Sequence, residues 1–192
     1  MSTAPLLVLT DRHQCAGPLA DTVQAAVRTG ARTVVLREKD LPEPERTLLA
    51  EELSRVLAPV DGLLVVAGRS GDHVHLAATD AFPDPRPTLV GRSCHDAAEV
   101  AAAATGGCDY VTVSPVFPTS SKPGYGPRLG LAGLQALITD DAPPVYALGG
   151  IHPSDVARCL HAGATGVAVM GPVMRTPALV ADYLEAIQEV RA

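Results

Sequence analysis

PVYALGGIHPSDVARCLHAGATGVAVMG, Pro144 to Gly171, contains one complete strand, helix and strand. The first run, PVYALGG, is apolar without alternation, as expected of a strand covered on both faces. Gly149 and Gly150 close it. A helical stretch follows from Ser154 to His161, and the phrase AGA at Ala162 places a glycine where a helix C-cap is needed. The next unbroken run, GVAVMG from Gly166, ends at Met170 and Gly171. Two buried strands joined through a helix form the βα repeat of a parallel sheet.

The same phrase recurs through the chain. Further strand-like runs are LLVLT from Leu6, TVVLRE from Thr33, LLVVA from Leu63, VHLA from Val74, TLVGRS from Thr88 and YVTVSPV from Tyr110. Helical stretches run from Leu19 to Arg28, Pro44 to Leu57, Asp96 to Ala104, Leu131 to Ile138 and Pro177 to Val190. TGA at Thr29 and GGC at Gly106 repeat the small-residue helix ending. An open doubly wound sheet would alternate in the same way. Eight strands in 192 residues, with no GxGxxG after the first strand, favour closure into a single α/β domain, a (β/α)₈ TIM barrel over residues 1–192.

Such barrels more often take ~250 residues, so this one is shortened. Only GRSGD, Gly68 to Asp72, separates the third and fourth strands. Five extended residues reach ~17 Å, enough to return the chain without a helix. The next connection, TDAFPDPRP from Thr79, is too rich in proline for a regular helix. The helices after strands 3 and 4 are therefore expected to be reduced or absent.

The formal charge of −6 leaves no basic footprint, which argues against nucleic-acid and membrane partners. The N-terminal MSTAPLLVLTDR lacks the basic start and long apolar stretch of a signal peptide, so a cytoplasmic location is expected. A homo-oligomer is compatible with this composition. Cys15, Cys94, Cys108 and Cys159 form no CxxC pair, and Cys108 and Cys159 read as small apolar filler. Trp is absent, so Val, Leu, Ile and Ala must build the core.

Catalytic groups in these barrels follow the strands, so the strand ends carry the functional reading. Strand 2 ends in Arg37, Glu38, Lys39 and Asp40; strand 5 in Ser93, Cys94 and His95; strand 6 in a Pro/Gly-rich loop with Ser114, Thr119, Ser121 and Lys122. Gly149 and Gly150 after strand 7, with Met170 and Gly171 after strand 8, suit a backbone phosphate cradle. A small phosphorylated substrate follows, with Arg37, Lys39 and Lys122 as cations for a second anionic group. His95 is a candidate acid, base or phosphate donor, and Asp96 the N-cap of the next helix. His73 and His75 border strand 4 and are expected at opposite faces or ends, so they are not paired as ligands.

Taken in order, LREKD at Leu36, GRSCH at Gly91, DYVTVSPVFPTSSK at Asp109, YALGGI at Tyr146 and GVAVMG at Gly166 resemble the thiamine phosphate synthase/TenI superfamily. The resemblance spans nearly the whole chain. It implies a synthase that joins hydroxymethylpyrimidine diphosphate to hydroxyethylthiazole phosphate and releases diphosphate. On that pattern Arg37, Lys39, Ser93 and Lys122 would hold the diphosphate. Thr119 and Ser121 would line the thiazole side, and Gly149, Gly150, Met170 and Gly171 would cradle the thiazole phosphate. Magnesium is implied as a cofactor, with Asp80 as its one candidate carboxylate, because the family's Asn-Asp-Arg run after strand 3 is replaced here by Ala67, Gly68 and Arg69. TenI-type thiazole tautomerases share GRS-x-H and the Gly-Arg after strand 3, but the His they carry on strand 6 is Pro115 here. A tautomerase using His95, and a non-catalytic thiazole phosphate binder, are the alternatives.

Overall fold

The computed structural model describes residues 3–119 and 128–192. Eight parallel strands close in chain order: β1 (Leu6–Leu9), β2 (Thr33–Leu36), β3 (Leu63–Ala67), β4 (His73–Leu76), β5 (Leu89–Cys94), β6 (Tyr110–Val113), β7 (Val145–Leu148) and β8 (Gly166–Val169). The last pairs with the first through Leu7 and Ala168. Outside lie α1 (Leu19–Arg28), α2 (Glu43–Leu57), α3 (Ala97–Thr105), α4 (Gly130–Leu137), α5 (Val156–His161), α6 (Gly171–Arg175) and α7 (Leu179–Arg191). This is the shortened (β/α)₈ barrel that the strand runs imply. Neither residues 68–72 nor residues 77–88 contain a helix.

Strand alternation divides the core into two layers. Leu7, Leu9, Val35, Val65, Leu89, Tyr110, Tyr146 and Ala168 fill the interior of the barrel. Their neighbours Leu6, Val8, Val34, Val90, Val111 and Val167 face outward, against Val23, Ala26, Leu53, Val100, Leu134 and Tyr183 of the helices. Each such side chain contributes about 1.5–3 kcal/mol on leaving water, which is why unbroken apolar runs specify these strands. Where the interior needs more volume than aliphatic residues supply, Tyr110 and Tyr146 meet edge-on with ring centres 5.6 Å apart.

Local signals fix the helix ends. The Asp96 carboxylate accepts the Glu99 backbone N–H at 2.9 Å, the N-cap expected for α3. Gly30, Gly107 and Gly163 end α1, α3 and α5 with positive φ, as the recurring small-Gly phrase implies. Cys108 and Cys159 are buried, and burial pushes the Cys159 thiol up to about 11, in keeping with packing roles. No helix among the described residues is long and apolar enough to cross a membrane.

Candidate active site

A cavity of about 820 Å³ opens at the C-terminal ends of the strands. It collects Arg37, Lys39, Ser93, His95, Thr119, Gly149, Gly150, Met170 and Gly171, residues that are spread along the sequence and assigned from strand-end position and from the family resemblance. Ser121 and Lys122 lie outside the described residues.

The segment LREKD sorts its charges by alternation. Arg37 and Lys39 face the cavity, while the intervening Glu38 is almost fully buried and receives the Arg12 guanidinium at 3.0 Å. Arg12 also binds Asp40 at 2.6 Å. That contact, with His13 second, holds the Asp40 carboxyl well below the usual carboxylate range. The two anions are thus neutralised outside the cavity, and the two cations remain directed to it. Arg37 is fixed further by its backbone N–H, which donates to Thr10 Oγ1 at 2.9 Å, and by its guanidinium against Met170 Sδ at 2.8 Å.

The same cavity is lined by the ends of β7 and β8. Gly150 has φ +65°, and a Cβ there would fall 2.2 Å from the Pro118 carbonyl oxygen, so this glycine serves the packing of the β6 loop as well as any ligand. Gly171 differs, since its φ is not positive and a Cβ would meet only the flexible ends of Gln14 and Arg175. Gly171 also begins α6, a five-residue helix too short to read from periodicity. Its first-turn N–H groups have no acceptors earlier in the helix.

His95 lines the cavity with its backbone and ring both tied down. Its N–H donates to Glu99 Oε2 at 2.6 Å, and its Nδ1 lies 2.7 Å from the Ser114 carbonyl oxygen. A carbonyl can only accept, so Nδ1 carries the proton and Nε2 of the neutral ring is the acceptor.

Of the two placements expected for the strand 4 histidines, opposite faces or opposite ends, the structure has the second: residues two apart share one face of a strand, and His73 begins β4 while His75 lies deeper along it. His75 is buried in the cavity floor, its Nδ1 3.0 Å from Tyr110 Oη and its Nε2 2.9 Å from Ser93 Oγ. Burial, reinforced by the positive charges of Arg37, Lys39 and Arg92, pushes the imidazole down to about 3, so the ring is neutral at physiological pH. The cavity also includes Glu99 and Arg175, which the sequence reading left unassigned. Only their placement one helical turn beyond Asp96 and Gly171 could have indicated them.

Asp80 is not among the described residues lining the cavity. Its Oδ2 accepts the Ala77 N–H at 2.7 Å, closing its own loop. Among the described residues no group of three or more His, Cys, Asp or Glu is placed to hold a metal ion. Asp80 as a magnesium ligand would be a lone carboxylate, and the donors present do not fit a protein-held magnesium site.

A family profile described as thiamine monophosphate synthase matches residues 6–173. A thiamine-phosphate synthase of Methanoregula boonei is 33% identical over 175 residues, covering 84% of this chain and 81% of its own length. One from Mycobacterium tuberculosis is 33% identical over 196 residues, with coverage of 88% and 87%. Among solved structures, the thiamine phosphate pyrophosphorylase of Pyrococcus furiosus superposes with a TM-score of 0.84 at 27% identity, over 97% of this chain and 96% of that one.

Proposed function

The chain belongs to the thiamine monophosphate synthase family, and from that premise we propose that it joins hydroxymethylpyrimidine diphosphate to hydroxyethylthiazole phosphate, giving thiamine phosphate and diphosphate. The observation that carries this reading is one cavity lined by two groups suited to anions. One is the cation pair Arg37 and Lys39; the other is the backbone at Gly149, Gly150 and Gly171.

In the proposed reaction the bond between the pyrimidine methylene carbon and the diphosphate oxygen breaks, and the electron pair leaves with the diphosphate. The thiazole nitrogen then supplies the pair for the new C–N bond and becomes the thiazolium cation. Arg37 and Lys39 stabilise the charge that grows on the departing group, with Ser93 donating a hydrogen bond and Lys122 as the carried-over third cation. Thr119 and Ser121 hold the thiazole side, and Gly149, Gly150, Met170 and Gly171 seat its phosphate so that the nitrogen meets the methylene carbon in line. No step is assigned to magnesium.

Incubation with both substrates tests the proposal, with thiamine phosphate as the expected product. Binding of thiazole phosphate without condensation would overturn it. The acceptor nitrogen of His95 favours a second reading, in which the same pocket isomerises a thiazole phosphate tautomer by moving one proton through Nε2. Proton exchange into thiazole phosphate in the absence of the pyrimidine substrate separates the two.

A further inference from the structure

Strand register sets His75, Gly91 and Tyr110 side by side on β4, β5 and β6. The middle position has no side chain, and a Cβ at Gly91 would lie 2.1 Å from Tyr110 Cζ. The phenol ring therefore crosses β5 and brings its hydroxyl 3.0 Å from His75 Nδ1. On the cavity side, His75 Nε2 faces Ser93 Oγ at 2.9 Å and Thr112 Oγ1 at 3.5 Å.

The proton count in this network has one satisfactory solution. Burial holds Tyr110 above its ordinary value, so it keeps its proton, and His75 is neutral with a single ring N–H. The partner found for the Tyr110 hydroxyl is His75 Nδ1. If Nδ1 carried the imidazole proton, the buried phenol would have no acceptor, which disfavours that tautomer by roughly ten- to a hundredfold. With Nδ1 accepting, Nε2–H must donate to Ser93 Oγ. Ser93 then has its own single O–H to direct elsewhere.

We infer that Tyr110 is a positioning residue. It fixes the tautomer of His75, and His75 in turn commits the Ser93 hydroxyl to donating to an anionic oxygen in the cavity, that of a diphosphate group. The nature of the anion rests on the function proposed above; the tautomer does not.

The test combines ¹⁵N spectroscopy of the His75 imidazole, recorded without ligand, with calorimetric titration of inorganic pyrophosphate and of thiazole phosphate. In the unaltered protein Nε2 should be protonated and Nδ1 bare. In Tyr110→Phe, Nδ1 should acquire part of the proton. Pyrophosphate affinity should fall in proportion to the fraction of His75 that keeps Nε2 protonated, about twofold for an equal mixture of tautomers, while thiazole phosphate affinity stays the same. Once Ser93→Ala has removed the donor, adding Tyr110→Phe should cost nothing more. A protonated Nδ1 in the unaltered protein, or full pyrophosphate affinity in Tyr110→Phe, overturns the inference. An unaltered protein that binds no pyrophosphate fails the synthase reading instead, and the ligand-free spectrum tells the two failures apart.

Discussion

Glu99 Oε2 accepts the backbone N–H of His95 at 2.6 Å, across the turn that Asp96 caps. The His95 ring is thereby anchored to the first turn of α3, and its Nδ1–H is directed at the Ser114 carbonyl from a fixed backbone.

Asp96→Ala should lower stability by about 1 kcal/mol, the usual worth of an N-cap. For a domain of this size that is a fall of about 2–4 °C in Tm. A melt of the variant beside the unaltered protein checks it. An unchanged Tm would show that Glu99 alone holds the turn.

His95→Asn retains an amide N–H near the Nδ1 position and loses the Nε2 acceptor. If that nitrogen moves the proton of the tautomerisation, proton exchange into thiazole phosphate should drop by about 10²-fold with the fold intact. Full activity would remove His95 from the chemistry. Glu38 could not replace it, being bound to Arg12 away from the cavity.

Gly171→Asp should reduce thiazole phosphate affinity by about 10- to 100-fold. Two unit charges 4 Å apart repel by ~4 kcal/mol at an effective dielectric of ~20, and solvent takes up part of this. The new carboxylate would also attract Arg175, whose guanidinium lies 2.8 Å from the added Cβ, and so withdraw a cation from the cavity. Its cost to stability should be small, because only flexible side-chain ends must move. Calorimetry with thiazole phosphate is the measurement; unchanged affinity in a folded variant would place the phosphate elsewhere.

His75 gives stability a pH dependence of definite sign. Its imidazole is held near 3 in the folded protein against 6.5 ordinarily, so between these values the unfolded chain binds the extra proton. Stability from this group is complete above about pH 6.5 and declines as pH falls toward 3, by at most ~1.4 kcal/mol per pH unit. Urea titrations across that window should show a shallower slope for His75→Gln than for the unaltered protein. Equal slopes would mean that His75 takes up a proton as readily when folded.

The barrel was legible in the sequence because parallel strands covered on both faces require unbroken apolar runs. Pro144 to Gly171 displays two of them with their helix between. The strand ends were legible for the same reason, since LREKD and GVAVMG end where apolar character ends. α6 was not, because Gly171 to Arg175 is too short to show a helical period. The buried polar floor was also hidden. Tyr110 reads as one more apolar strand residue, and the hydroxyl that links it to His75 appears only when β4, β5 and β6 lie side by side. Asp80 shows the reverse difficulty: a carboxylate placed as a metal ligand by motif position is occupied by the N–H of Ala77, three residues earlier.

The missing helix between β3 and β4 leaves a seam. β3 and β4 are in register at only Val66 with Val74 and Ala67 with His75, whereas every other neighbouring pair aligns at three or four positions. Leu63, Leu64 and Val66 are half-buried where β1, β2, β6 and β8 are covered throughout. Local opening begins where apolar cover and pairing are weakest. The amides of β3 and β4 should accordingly exchange with deuterated solvent ahead of those of β1 and β8, and each such opening would release the strand on which His75 is carried.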